Sequence, residues 1–406
     1  MPRGFLLLIA AQFTSALADN ALLIVAIALL QQQGLPGWWA PLLKFSFTLS
    51  YVLLAPVVGP LADALPKARL MAWMNALKML GLGGMLLPLH PVAAYAVVGL
   101  GAAGYAPAKY GLVTELVPPH QLVAANGWIE VSIVCAALLG TVLGGGLVSA
   151  PMLALGLNVS LGLLLGLYGL AALLQWGVPD SGARYPEAAW HPVALARDFW
   201  AAHRRLWRDA AGGLSLAVTT LFWGVGGVLQ FAVLRWATER VGLGLDRAAY
   251  LQAVVALGVV AGAALAGRFV PLHRALRVLP AGVALGGLIA AVAPLTTLGP
   301  ALPLLVLTGA VGGILVVPMN ALLQHRGHQL LTAGRSIAVQ GFNENLSVLT
   351  MLGVYAGLHA LALPLVPLMM GFGGLIAAFM LVLMARRRAL RRQARLGAGC
   401  SGAGQR

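Results

Sequence analysis

Charge is scarce in this 406-residue chain: Asp, Glu, Lys and Arg together make up 9% of it, against roughly 25% in an ordinary soluble protein. So few charges cannot cover a water-facing surface of that size, which argues against a soluble globular protein. Cysteine is almost missing. Cys135 lies in an apolar run and Cys400 near the end, so neither a disulfide framework nor a thiolate metal site is expected. Catalytic patterns are absent as well. None of the eight histidines is followed five residues later by an aspartate, as the His-x4-Asp pair of lipid acyltransferases requires. No lysine follows a glycine, so there is no phosphate-binding loop for ATP, and no His/Cys/Asp cluster has metal-ligand spacing. Neither an enzyme nor a bound cofactor is expected.

What the chain does have is hydrocarbon. Hydrophobic residues make up 60% of it, and the mean hydropathy is +0.89. Apolar segments of the roughly 20 residues that cross a bilayer fall near 4–30, 39–62, 68–89, 91–114, 121–149, 152–178, 212–238, 246–269, 276–297, 299–324, 331–357 and 361–385. The pattern predicts an all-α membrane protein of twelve transmembrane helices. Residues 1–30 lack a small-residue cleavage site and read as a retained first span. The expected organisation is a six-helix half (1–178), a central loop (179–211), a second six-helix half (212–385) and a basic tail (386–406).

The bases orient the bundle. Of 26 Lys and Arg, 20 fall at the N-terminus, in the loops after even-numbered spans or in the tail, whereas the loops near 34, 90, 150 and 298 carry none. The positive-inside rule then puts both termini in the cytoplasm. The net charge of +15 is thus a topology signal, and no nucleic-acid partner is needed to explain it. The basic tail also suits anionic lipid headgroups. In the central loop, Trp190, Val193, Phe199, Trp200, Leu206 and Trp207 recur near helical spacing among Arg197, His203, Arg204, Arg205 and Arg208. That reads as a basic amphipathic helix on the inner leaflet, with a solvated linker as the alternative.

The two halves repeat. "VGPLADALPKARL" (58–70) and "AGRFVPLHRALRV" (266–278) are offset by 208 residues, as are "HQLVAAN" (120–126) and "HQLLTAG" (328–334). A proline late in span 4 (Pro107) and another late in span 10 (Pro318) are offset by 211. Parallel six-span repeats are a feature of major facilitator transporters, which hold substrate between their halves near mid-membrane. The loop "GPLADALPKARL" resembles the signature of that superfamily, with Gly59, Asp63, Lys67 and Arg69 in place as a cytoplasmic conformational latch.

With loop charges set aside, Asp19, Lys44, Lys78, Lys109, Glu130, Arg235 and Glu344 remain in or near the spans. Each costs about 2.5–3.5 kcal/mol at the bilayer centre, so each should face a partner or an aqueous cavity. Gln12, Ser15 and Asp19 share one helix face. Tyr105 and Lys109 flank Pro107, Asn126 and Glu130 are one turn apart, and Thr219, Trp223, Gly226 and Gln230 form a stripe, as do Gln340, Asn343, Glu344 and Ser347. Lys109 is the expected partner of Asp19, as an ion pair or as half of a headgroup clamp. Lys44 either snorkels outward or faces inward, Lys78 reads as a structural pair, and Arg235 either pairs with Glu239 or serves the site. A cavity with charges of both signs on one wall and Val, Leu, Ala and Gly on the other suits an amphiphile with a zwitterionic or anionic head: phosphate would take a lysine and an ammonium a carboxylate.

Seven stretches carry a closer likeness: "AQFTSALADNALL" (11–23), "NALKMLG" (75–81), "GAAGYAPAKYG" (101–111), "LVAANGWIEVS" (122–132), "LFWGVGGVLQF" (221–231), "VVPMNALLQHRG" (316–327) and "AVQGFNENL" (338–346). In collinear order they resemble the bacterial lysophospholipid transporters of the major facilitator superfamily. The resemblance implies movement of lysophospholipids to the cytoplasmic leaflet of the inner membrane, with lateral access from lipid. It also implies a functional partner, an acyltransferase with acyl-carrier-protein synthetase activity, and a monomer is expected. The substrate residues it implies are Asp19, Asn20, Lys109, Glu130, Glu344 and Asn345; position on the polar faces adds Tyr105 and, in span 7, Gln230 and Arg235 as further candidates. Some relatives carry arginine where this chain has Gln230, and Arg235, five residues on, points about 140° away around the helix. A proton-coupled exporter of drugs or metabolites is the alternative within the superfamily, and a membrane enzyme or assembly platform the alternative outside it.

Overall fold

Inside hydrocarbon a backbone N–H or C=O finds no water, so an apolar run closes its hydrogen bonds within itself as a helix. A computed structural model describes residues 3–35, 39–87, 89–183, 185, 190–361 and 363–402, with the side chains of 245–249, 359, 360 and 391–402 left aside. Its first half comprises α1 (Arg3–Gln32), α2 (Trp39–Ala64), α3 (Lys67–Leu86), α4 (Pro91–Leu116), α5 (Leu122–Leu147), α6 (Ala150–Leu155) and α7 (Leu157–Trp176). A linker helix α8 (Pro192–Arg208) follows. The second half comprises α9 (Ala210–Glu239), α10 (Leu245–Phe269), α11 (Leu279–Val292), α12 (Leu298–Leu330), α13 (Ala333–Ala360) and α14 (Leu365–Gly402).

A helix stands where each of the twelve apolar segments was expected. Among the described residues, ten helical segments are long and apolar enough to cross a membrane. The helices missing from that set are α3 and α13, whose hydropathy is lowered by Lys67, Asn75 and Lys78 in one and by Gln340, Asn343 and Glu344 in the other. Three segments differ in detail. Residues 152–178 are broken at Gly156, whose φ of 97° ends α6 and starts α7. The segment 276–297 is entered through a 3-10 turn, Leu272–Val278, and its α-helix ends at Val292. The expected tail does not begin as a separate element at 386, since α14 continues to Gly402. Arg184, Arg406 and the side chains of Arg391, Arg392 and Arg395 lie outside the described residues. The outer surface carries Leu80, Val142 and Trp176, each more than 70% exposed, as only a lipid-facing surface tolerates.

The junctions α2/α3, α4/α5, α10/α11 and α12/α13 lie at one end of the bundle, with the start of α1 and with α8. At this basic end the halves are joined. Gly59 of α2 meets α13 so closely that a Cβ there would stand 2.9 Å from Arg335 Cα and 3.2 Å from the Gly334 carbonyl oxygen. Asp63 then caps the start of α13, accepting from the amides of Gly334 (2.8 Å) and Arg335 (3.3 Å) and from the Thr332 hydroxyl. The repeat-related junction joins α5 to α10, where a Cβ at Gly127 would stand 2.9 Å from the Ala263 carbonyl oxygen. Asn126 and Gln324 exchange two 2.9 Å hydrogen bonds beside it. Lys67 instead ties down its own half: it forms a 2.7 Å pair with Glu115, which Tyr185 (2.9 Å) and Ser181 (2.5 Å) also reach. Arg69 lies apart from these contacts, on a recess with Trp176 and Asp180.

The linker helix spans the same end. Leu195, Phe199, Ala202 and Leu206 are buried, and the last three pack with Ala55 of α2, Leu216 of α9, Leu323 of α12 and Val339 of α13. His203 and Trp207 meet the Asn343 amide oxygen, both at 3.3 Å, and Phe199 stacks edge-on to Phe342 at 5.2 Å. The expected lipid-facing stripe is therefore divided: Phe199, Leu206 and Trp207 face protein, while Trp190, Val193 and Trp200 remain exposed beside Arg197 and Arg204. Asp209 closes the linker, capping α9 at Gly212 N (2.7 Å) and pairing with Arg326 (2.6 Å). Burial pushes its carboxyl up, but the Arg326 hydrogen bond and the Gly212 amide outweigh this and hold it below the usual carboxylate range.

Removing the cap tests the junction. Asp63→Ala should cost the joined state about 1–2 kcal/mol. It should raise labelling, by a membrane-impermeant maleimide, of a single cysteine placed at Ala338 in a chain with Cys135 and Cys400 replaced by serine. Unchanged labelling would contradict the joining role of Asp63.

Candidate functional site

The hydrogen bonds that join the halves among the described residues all lie at the basic end, apart from one 3.5 Å contact from Lys44 Nζ to Gln230 Oε1. Beyond the junctions the halves part around two adjoining compartments. One, of about 370 Å³, is walled by α1, α2, α3 and α4 and includes Gln12, Ser15, Asp19, Asn20, Lys78 and Tyr105. The other, of about 290 Å³, lies between α2, α4 and α13 and includes Gln340, Glu344 and Asn345. Lys44, Tyr51, Lys109 and Trp223 line both, making them one continuous cavity.

The Gln12–Ser15–Asp19 face does line this cavity, but Asp19 does not pair with Lys109. Lys78 of α3 takes that place, with Nζ at 2.9 and 2.7 Å from the two Asp19 oxygens and at 3.0 Å from Ser15 Oγ. Tyr168 of α7 donates to the same carboxylate at 2.7 Å. A chain of hydrogen bonds runs on from Ser15 to Asn75 (2.8 Å), from Asn75 to Gln175 (3.1 Å) and from Gln175 to the Tyr105 hydroxyl (2.8 Å). Lys78 is 1% exposed and also lies over the rings of Tyr105 and Tyr168. The cost of burying such a group is offset by the ion pair, the hydrogen bonds and the ring contacts around it. The expected pairing failed for a simple reason: α1 packs against α7 as well as α4, and α3 reaches Asp19 between them.

Lys109 is consequently left over. Its ammonium lies 4.2 Å from the Tyr110 ring centroid, and among the described residues no carboxylate comes within ion-pair distance. Glu130 is buried in α5 and does not line either compartment. Lys44 faces the cavity too and does not snorkel away. Across from them Glu344 accepts from Gln340 at 2.8 Å, and Asn345 donates back to the Gly341 carbonyl at 2.8 Å. Asn20 likewise bonds its own helix, at Ala16 O. Arg235 is bound to Glu239 at 2.5 Å and lines neither compartment, which removes it from the expected substrate set. Gln230 touches the cavity only through Lys44.

Spacing alone left Lys44, Tyr51, Asn75, Lys78, Tyr168 and Gln175 out of the expected set. The signal for four of them was present: Asn75 and Lys78 stand at i, i+3 in α3, and Tyr168 and Gln175 at i, i+7 in α7, each pair on one face. Lys78→Met should leave the half-buried Asp19 carboxylate without its ion-pair partner and lower the melting temperature of the purified protein. Adding Asp19→Asn should restore most of the melting temperature of the purified protein. Equal melting of wild type and single variant would contradict the pair.

Known proteins place this geometry. Residues 8–346 match the family model of the Major Facilitator Superfamily. The Lysophospholipid transporter LplT of Citrobacter koseri is 41% identical over 377 residues, covering 92% of this chain and 93% of that one. The protein of the same name from Escherichia coli strain K12 is equally similar, with 94% of its length covered. Among solved structures, the human organic anion transporter MFSD10 superposes with a TM-score of 0.75 at 16% identity, covering 94% of this chain and all of that one. The transporter FucP in its outward conformation superposes at 0.72 with 18% identity, covering 94% and 98%. These two share the fold. With the family model spanning most of its length and relatives 41% identical over 92% of it, the chain belongs to the lysophospholipid transporter family of the major facilitator superfamily.

Proposed function

We propose that this protein carries lysophospholipids across the bacterial inner membrane to the cytoplasmic leaflet, by alternating access of one central cavity. The relatives' shared name supports the substrate class. The observation that carries the reading is the pair of cations, Lys44 and Lys109, that have no carboxylate partner among the described residues and line the same cavity as the Glu344 carboxylate. A phosphate is held by the two lysines, with the Tyr51 hydroxyl on the same wall. The ammonium of an ethanolamine head turns to Glu344 and Asn345. Asp19, already neutralised by Lys78, shapes the wall with Asn20 and Tyr105 and is not a direct ligand at rest, and Glu130 does not line the cavity.

The positive-inside distribution puts the basic end, and with it both termini, in the cytoplasm. The latch of Gly59, Asp63 and the start of α13 is then closed on that side, and the cavity faces outward to receive lipid from the outer leaflet. Inward opening requires Asp63 to release the amides of α13. The protein works as a monomer, with no cofactor and no chemical step of its own. Its product passes to an acyltransferase with acyl-carrier-protein synthetase activity for re-acylation.

Reconstitution in liposomes with labelled lysophosphatidylethanolamine tests the reading. Wild type should move the lipid, and Lys109→Ala should slow it at least about tenfold, the worth of one charge-assisted hydrogen bond. Equal rates would contradict the assignment of Lys109. Loss of transport when the proton gradient is dissipated would favour the proton-coupled exporter.

A further inference from the structure

At the basic end of the first half, α3 and the end of α7 part around a recess of about 460 Å³, larger than either compartment of the central cavity. It shares no lining residue with that cavity. Arg69 and Trp73, one turn apart on α3, line it from one side, and Trp176 and Asp180 from the other. Arg69 is exposed, and its side chain forms no ion pair among the described residues.

The lining suits a lipid headgroup. Trp73 is 58% and Trp176 74% exposed, and tryptophans on a membrane protein's outer surface gather at headgroup depth, ring in the lipid and N–H toward water. The guanidinium between them presents the planar fork that holds a phosphate by two hydrogen bonds. Asp180 accepts from the Gly182 amide at 3.3 Å, and a carboxylate has further acceptor sites for the donor of an ethanolamine or glycerol head. Gln175, fully buried, forms the back wall; it donates to the Tyr105 hydroxyl and accepts from Asn75, so the recess backs onto the hydrogen-bond chain of the polar compartment. The repeat keeps the cation and drops the aromatic: the residues 208 positions after Arg69 and Trp73 are Arg277 and Ala281.

We propose that this recess binds the headgroup of a diacyl phospholipid resident in the cytoplasmic leaflet, with its phosphate on Arg69 and its glycerol backbone between Trp73 and Trp176. The occupant is a structural lipid and not the cargo, since it arrives by diffusion within the leaflet and never crosses the central cavity. The inference uses the cytoplasmic placement of the basic end and stands apart from the choice of transported substrate. A lysophospholipid carries the same phosphodiester, but the surrounding bilayer supplies the diacyl lipid in far greater amount, and occupancy follows mass action. Basic recesses between helices on the cytoplasmic side are the places where such heads are held.

The test uses the full-length protein in phosphatidylcholine liposomes with a trace of diacyl phosphatidylethanolamine that carries a diazirine on its acyl chain near the glycerol. Mass spectrometry after irradiation should find label on the peptides of Trp73 and Trp176. Arg69→Gln should lower that label about tenfold, the worth of one charge-assisted hydrogen bond, and Arg69→Glu should lower it further. Arg277→Gln, which removes the counterpart cation outside the recess, should leave it at the wild-type level. Because Arg69 is exposed, all three variants should melt like wild type. Unlabelled diacyl phosphatidylethanolamine should compete, and the same amount of lysophosphatidylethanolamine should not. No label on these peptides in wild type, equal label in both Arg69 variants and wild type, or an equal fall in Arg277→Gln would overturn the site. Competition by the lysolipid alone would overturn the resident lipid and make the recess a stage for delivered cargo. None of these results bears on whether lysophospholipid is transported, which the liposome assay above reads separately.

Discussion

The ion pair between Asp19 and Lys78 decides what every other charge in the cavity is free to do. Both groups lie at membrane depth, where a lone charge is costly, and they spend that cost on each other at 2.7 Å. Ser15, Tyr168, Asn75, Gln175 and Tyr105 complete the arrangement, so four helices of the first half are tied to one carboxylate. Once Asp19 is engaged, it cannot also neutralise Lys109. A paired centre and, on the next helix, a cation with no carboxylate partner among the described residues are two sides of the same constraint, and the second is what an anionic headgroup needs.

The repeat explains how a nearly symmetric scaffold holds an asymmetric molecule. Gly59 and Gly267 are related by the offset of 208 residues, and each sits where α2 meets α13 or α10 meets α5. Asp63 has Pro271 as its counterpart, so only one of the two junctions carries a charged cap. The same pattern recurs deeper in the bundle: Lys44, Phe47 and Tyr51 in one hollow correspond to Gln252, Val255 and Val259 in the other. The two hollows are related by the repeat yet differ in size, about 370 against 140 Å³, and in lining. The linker helix bridges the charged junction through Phe199, Phe342 and Asn343, placing the start of α13 between the cap, the linker and the cavity wall.

Much of this was legible in the sequence. Hydropathy located each span, because a bilayer-crossing helix must be long and apolar. The loop repeat located the halves, and the Gln12–Ser15–Asp19 spacing put the right face on the cavity. Pairing was not legible, since spacing within a helix says which side chains share a face and not which helix that face meets. Asp19 therefore draws the wrong lysine on spacing alone, although Lys78 reads as one half of a structural pair. Lys44 was ambiguous because a lysine near a helix end can snorkel, and only the cavity between α2 and α4 shows that it turns inward. Arg235 read as a candidate by its position in span 7, yet its partner was one turn away in Glu239.

Photo-crosslinking with a lysophosphatidylethanolamine probe that carries a diazirine on its headgroup tests most directly where the headgroup rests. Mass spectrometry of labelled, reconstituted protein should find the probe on the α2 and α4 peptides around Lys44, Tyr51 and Lys109. Labelling confined to the second half would contradict a headgroup held by these two lysines.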